Sequence, residues 1–435
     1  MKPVDASYRD PGYGVLTDDN GKRFFRLLPH EPEVYNSHPF FPGVLSRVEG
    51  NLYEVERIPF MNHFHEWTFS QCKDSALFHL DILESLIREG WMLRDAHPTN
   101  ITYEGKGMFR FIDHGSLERY DGAGWQAHLQ FIREYAYPLL FLSTSPIRSP
   151  QSLVPVLMDK SWQIQYRPPL SKRLSLGYRV LRSSLLLSQR KSLKDTGSSE
   201  RKQKVNPRYS IAFLRDFIKS LKIHLPRTKW GDYYERTILE DGYLERKPSA
   251  VETCVSKVAD RVSYSADFGA SSGRITTRLS DRFRNIRFIA IESDPNASEE
   301  LYLASRGRDV IPIHSNILQL TPALGFDGSY ASLDERLRNT SDLNLALGII
   351  HHMMHEETLP FERIIRYFKE RSKPGACLVI EHVGPGDPRY RLIRNPNYPH
   401  AEDIASFEEA LGIHYKILYK ESVHDERTIY LAEAK

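Results

Sequence analysis

Apolar residues recur along the chain in two rhythms. In the first part Leu77, Leu80, Ile82, Leu83, Leu86 and Ile87 fall at i, i+3, i+4 spacing, which predicts an amphipathic helix over Asp74–Glu89 stopped by Gly90. Gly21–Leu28 is a short strand candidate, so residues 1–150 predict an α+β domain. A second helical face, Ile211, Phe213, Leu214, Phe217, Ile218 and Leu221, is closed by Pro226. From about residue 230 short apolar runs take over: Tyr264–Phe268, Phe288–Ile291, Val310–Ile313, Leu343–Ile350, Cys377–Ile380 and Thr428–Leu431. Helix-sized pieces lie between them, at Ile275–Phe283, Asn296–Arg306 and Phe361–Arg371. Buried strands alternating with crossover helices predict an α/β domain over 230–435, with a mostly parallel sheet and helices on both faces. Ligands of such sheets bind at the carboxyl ends of the strands, where the strand order reverses.

Between these regions the charge is uneven. From Arg167 to Lys229 there are 17 Lys/Arg against Asp195, Glu200 and Asp216, while the whole chain carries only +3. Two readings stand: a patch for an anionic partner, nucleic acid or membrane surface, and a solvated connector of residues 151–229 docking on acidic neighbours. The centre, Ser188–Asn206, is rich in Ser, Lys and Arg and reads as a flexible linker. Of 435 residues 40% are hydrophobic and 26% charged, enough for full cores and against disorder throughout. No apolar run approaches the ~18–20 residues of a membrane-spanning helix, and the polar start, with Asp5, Arg9 and Asp10, is unlike a secretory signal. Cys72, Cys254 and Cys377 are far apart and form no CxxC, so no disulfide framework or cysteine metal site is expected, and a cytoplasmic setting is.

The chemistry concentrates in the second half. The run Tyr264–Phe268 leads into Asp267-Phe268-Gly269-Ala270-Ser271-Ser272-Gly273 and then a helix; Gly269 suits a tight turn and Gly273 close helix–strand packing. The next run ends in Glu292, 23 residues after Gly269, where an acid can accept both hydroxyls of a ribose. The loop is D-x-G-x-x-x-G rather than G-x-G-x-x-G, and a carboxylate at Asp267 opposes a pyrophosphate but suits a cationic ligand. In these features the region resembles class I S-adenosylmethionine-dependent methyltransferases, with a Rossmann-like fold. The resemblance implies S-adenosylmethionine as cofactor, Asp267 near its amino group, Gly269 and Gly273 shaping the loop, Glu292 on the ribose and Asn316 at the adenine, where that family usually has Asp. It also places His351 and His352, after the fourth strand, near the acceptor as candidate bases. His351, His352 and His355 lack the H-E-x-x-H pattern, so no metal site is assigned. No Asn/Asp-Pro-Pro-Tyr is present, which argues against methylation of exocyclic DNA amines or glutamine amides.

The first half carries a second pattern. Asp95, Asn100 and Asp113 stand five and thirteen residues apart, which resembles the stretch of protein and aminoglycoside kinases where one Asp orients a hydroxyl and an Asn and a second Asp hold magnesium. No Gly-rich phosphate loop or Val-Ala-Ile-Lys strand precedes it, and the alternative is a hairpin whose Asp and Asn stabilise turns. Across most of the chain, Ile58-Pro59-Phe60, Glu66–Ser70, Leu93-Arg94-Asp95, Phe111-Ile112-Asp113, Ile350-His351-His352, Leu378–Glu381 with Asp387-Pro388, and Arg427–Leu431 together resemble nodulation-protein-type S-adenosylmethionine methyltransferases. That resemblance implies methyl transfer to an oxygen or nitrogen of an unidentified small-molecule or biosynthetic acceptor. The rival readings are a magnesium- and ATP-dependent phosphotransferase and a non-catalytic basic scaffold.

Overall fold

The computed structural model describes residues 2–3, 15–17, 23–122, 124–145, 163, 166–192, 206–225, 228, 241–325, 328 and 330–435. Two compact units emerge, Met1–Tyr103 with Met108–Leu225, and Glu104–Gly107 with Pro226–Lys435. The expected boundaries near 150 and 230 fall on residues outside those described, as do Gly21 and most of the expected linker Ser188–Asn206.

In the N-terminal unit β1 (Lys2–Pro3), β2 (Val15–Thr17), β3 (Phe24–Leu27), β4 (Val44–Glu49) and β5 (Leu52–Val55) form an antiparallel sheet in the order β1-β2-β3-β5-β4. Helix α1 (Pro32–Asn36) joins β3 to β4. Helix α2 spans Phe69–Arg88, starting five residues before the expected position because the Thr68 side chain accepts from Gln71 N and caps it there. Its buried stripe runs through Cys72, Ala76, Leu80, Leu83 and Leu86, and Gly90 at φ +79° ends it. Strands β6 (Trp91–Leu93), β7 (Ile101–Gly105), β8 (Met108–Phe111) and β9 (Leu117–Arg119) follow, with β6 pairing β9 and β7 pairing β8. Helices α3 (Tyr137–Thr144), α4 (Leu170–Arg173), α5 (Leu176–Ser192) and α6 (Pro207–Ser220) complete the unit. Arg215 of α6 binds Asp81 and, at 2.6 Å, Glu84 of α2, so part of the basic stretch docks on acids of this unit.

The C-terminal unit is mixed α/β. Its sheet holds β10 (Tyr264–Phe268), β11 (Arg287–Glu292), β12 (Val310–His314), β13 (Leu343–Ala346), β14 (Cys377–Val383), β15 (Tyr415–His424) and β16 (Arg427–Ala434), in the order β12-β11-β10-β13-β14-β16-β15. The first five are parallel; β16 is antiparallel to both β14 and β15. Every residue of β12, β13 and β14 is buried, as a sheet covered on both faces requires. The helices are α7 (Asp241–Ser256), α8 (Arg274–Arg282), α9 (Pro295–Ser305), α10 (Leu333–Arg338), α11 (Ile350–Glu357), α12 (Phe361–Glu370), α13 (Pro388–Ile393) and α14 (Ile404–His414). The expected run Leu343–Ile350 stops as a strand at Ala346, because Gly348 at φ +72° turns the chain into α11. From β10 the chain steps outward to β12 and then crosses back to lay β13 on the other side of β10. The order reverses there, which fixes where a crevice opens. No described helix is long and apolar enough to cross a membrane, and the three cysteines are buried and unpaired.

Candidate functional site

The turn after β10 is shaped by residues that hold left-handed backbone. Gly269 has φ +78°, and a Cβ there would lie 2.6 Å from Ile349 Cγ2; Gly273 has φ +81°, and its Cβ would lie 2.4 Å from Leu301 Cδ1. Gly269 N and Ala270 N both donate to Ile291 O, tying the turn to the end of β11. Ser271 adopts φ +52°, a conformation a serine holds at a cost. What this conformation achieves is visible: Ser271 N donates to Glu292 Oε2 at 2.8 Å.

Glu292 thus gathers three backbone N–H groups, those of Ser271, Ser293 and Asp294. Burial raises its carboxyl above the ordinary value, and those donors oppose the shift. A carboxylate has about four lone-pair sites, so one direction remains for a ligand hydroxyl. Asp267 lies under the turn, buried, and accepts from Thr276 Oγ1. Burial pushes it up to about 6, with the Thr276 bond opposing.

A cavity of about 310 Å³ opens on this turn, and Gly269, Ser271, Glu292 and Asn316 all line it. Asp267 and Gly273 are not on its wall; both act from behind the turn. Asn316 Oδ1 already accepts from Leu318 N at 2.9 Å, leaving it one further lone pair. Ser271 Oγ is buried without a hydrogen-bond partner. A buried orphan hydroxyl on a cavity wall is an acceptor and donor that the protein itself does not use.

The far wall comes from α11 and α7. His352, Met353, Glu356 and Glu357 face the cavity from α11, and His352 Nδ1 stands 2.8 Å from Glu356 Oε1. His351 is turned away from the wall: it is buried, its ring stacks near Tyr390 at 6.2 Å, and its Nδ1 has no partner. Burial, with His352 and Arg427 beside it, holds His351 far below its ordinary pKa, so it is neutral at physiological pH. His355 packs against Tyr390 and Tyr398.

Sequence reasoning passed over Lys247. It lines the cavity, and its Nζ donates to Glu381 Oε2 at 2.7 Å. The ammonium and the carboxylate sit against Gly348, where a Cβ would come within 3.4 Å of both. Glu381 Oε1 also accepts from Tyr243 Oη at 2.7 Å and Arg427 Nη1 at 3.3 Å, and Arg427 grips Asp387 through Nε and Nη2. Burial alone would raise Glu381, but Lys247 and Arg427 hold it below its ordinary value. The signal available was the Tyr243/Lys247 pair, i and i+4 on one helix face; Pro248 inside α7 hides that helix from a pattern reading.

In the N-terminal unit Asn100 and Asp113 come together, with Asn100 Nδ2 donating to Asp113 Oδ2 at 3.2 Å. Asp113 also accepts from Ser116 Oγ and Gly115 N, while Asp95 accepts from His97 N at 2.8 Å. Among the described residues no group of three His, Cys, Asp or Glu is placed to hold a metal ion.

No protein-family model matches the chain. It is similar to the nodulation protein NoeA of Rhizobium meliloti (strain 1021), 24% identical over 475 residues that cover 99% of this chain and 96% of that protein. Solved structures overlay more loosely. A fibrillarin/Nop5p complex is 17% identical at a TM-score of 0.28, covering 40% of this chain and 73% of its own. A protein of Pyrococcus horikoshii OT3 is 14% identical at 0.35, over 47% and 99%. Human N-acetylserotonin methyltransferase in complex with SAM is 10% identical at 0.29, over 48% and 60%.

Proposed function

We propose that the C-terminal unit is a Rossmann-like, class I methyltransferase domain that binds S-adenosylmethionine and transfers its methyl group to an oxygen or nitrogen of an acceptor. The observation that carries this reading is the shared wall: a left-handed glycine turn at Gly269 and the carboxylate ending β11, Glu292, face one cavity at the switch point of the sheet. The donor set fits the cofactor's parts. Glu292 has an accepting direction left for a ribose hydroxyl, Asn316 keeps an amide for the adenine, and the orphan Ser271 Oγ awaits a polar group. Lys247 on the wall suits the carboxylate of the amino-acid end, and Asp267 beneath the turn favours that end's ammonium. Gly269 and Gly273 supply room for the close approach.

Bound there, the cofactor supplies a sulfonium-activated methyl group. The chain contributes orientation first, by holding the acceptor in line with that methyl group. His352, oriented by Glu356, stands on the same wall and takes the proton an acceptor hydroxyl or ammonium releases. His351, behind it, backs the His352 ring at 4.5 Å rather than touching the acceptor. The N-terminal unit is assigned to acceptor or partner recognition, and the setting is cytoplasmic. The NoeA similarity adds a nodulation-related context to this proposal.

Titration calorimetry of the wild type and Glu292→Ala with S-adenosylmethionine, and with ATP as contrast, tests the reading. The wild type binds S-adenosylmethionine and the variant loses at least about tenfold in affinity, the effect of one good hydrogen bond to a charged group. A wild type that ignores S-adenosylmethionine and binds ATP with magnesium overturns it.

A further inference from the structure

Among the described residues the basic stretch displays an unusual surface. Helices α4 and α5 and the turn between them expose Leu170, Leu174, Leu176 and Val180 at 61%, 70%, 71% and 38%. All four fall within eleven residues. The inner face of α5 is already packed: Tyr178, Leu181 and Leu185 are buried, and Gly177 lies so close to Phe217 of α6 that a Cβ would meet its ring at 2.5 Å. The outward leucines are therefore not the core face of the helix. Around them Arg173 and Arg179 are exposed, and residues 167–192 hold seven Lys/Arg and no Asp or Glu.

Each property narrows the partner. Clustered exposed apolar side chains mark an interaction surface, and cations with no acid among them select an anionic partner. A second copy seated face to face through this patch sets Arg173 and Arg179 against their own counterparts with no acid of the patch to offset them, and like charges repel. Nucleic acid matches the charge, but its interfaces are polar or built on stacked aromatics, and these exposed apolar residues are aliphatic. An anionic bilayer answers both features at once, with aliphatic chains entering the headgroup–acyl boundary while guanidinium and ammonium groups meet lipid phosphates. We propose that α4 and the outer face of α5 dock this protein peripherally on anionic membrane surfaces.

Flotation of the full chain with vesicles of phosphatidylcholine, with and without phosphatidylglycerol, tests this. The wild type floats with the anionic vesicles and not with the neutral ones, and binding falls as salt rises. Arg173→Gln/Arg179→Gln weakens binding by about fivefold per charge removed. Leu174→Ser/Leu176→Ser weakens it by tenfold or more, with an unchanged circular dichroism spectrum because both side chains are exposed. No flotation with anionic vesicles overturns the proposal. So does a leucine variant that binds them like the wild type, or one in which heparin and single-stranded RNA capture the chain while vesicles do not.

Discussion

Asp113 in the N-terminal unit and Glu292 in the C-terminal unit are both acids just past or at the end of a strand, and both accept backbone N–H groups. Their surroundings differ. Asp113 caps its own short turn and is closed by Ser116 and Asn100, so its oxygens serve the local chain. Glu292 is bound only by backbone, and beside it stand a strained Ser271, an orphan Ser271 Oγ and a glycine cradle. A fold that needs an acid for a turn saturates it; one that leaves unspent polar groups around a cavity has kept them for a ligand. The contrast between these two acids can be broken at several points.

The largest effect is expected where the cavity floor is ionic. Arg427 is 1% exposed and holds Glu381 and Asp387, both fully buried. Arg427→Met takes the cation from the buried Asp387 and leaves Glu381 with the Lys247 cation alone, and breaking such a buried pair costs about 3–5 kcal/mol. Urea unfolding reads this loss directly. A loss below about 1 kcal/mol means that the network is not the support of the cavity wall that its geometry describes.

Asp267 gives an intermediate effect with a sign that depends on pH. Its carboxyl is pushed up to about 6 by burial, against about 3.9 in an unfolded chain. A raised acid favours the fold while protonated, so relative to Asp267→Asn the wild type is most stable below about pH 4 and loses ground as pH rises through 6. Two pH units correspond to about 3 kcal/mol. Unfolding midpoints of both proteins at pH 4, 5, 6 and 8 check the crossing. In the methyltransferase reading, S-adenosylmethionine places positive charge near the ionised group, so its affinity rises with pH through 6 in the wild type and stays flat in the variant.

The sheet was legible because its parallel strands are buried on both faces and so read as plain apolar runs: Tyr264–Phe268 is found where it was expected, and β11 and β12 differ only at their ends. β15 was not, since Lys416, Lys420 and Glu421 on an edge strand imitate a solvated helix or loop. At the site, the positions of Gly269 and Glu292 on the turn and at the strand end could be read because backbone geometry ties a glycine and a strand-end acid to such places. Ser271 could not: nothing about a serine announces φ +52°. Nor could the floor network, whose partners Lys247 and Glu381 lie 134 residues apart and meet only through the sheet. His351 and His352 are adjacent in sequence, and only the first turn of α11 decides that His352 faces the cavity.

The smallest effect belongs to Asp113. Its carboxylate caps the turn at Gly115 and Ser116, so Asp113→Ala removes a cap and a side-chain bond, worth about 1–2 kcal/mol in chemical unfolding. Because its oxygens are taken up by Ser116, Asn100 and the turn, the variant is expected to keep the wild-type S-adenosylmethionine affinity and to lose no magnesium-dependent ATP signal. Calorimetry with both ligands on this variant turns the contrast into a measurement. If magnesium-dependent ATP binding exists in the wild type and disappears with Asp113→Ala, Asp113 is itself a ligand-binding acid, and the N-terminal unit carries a site of its own.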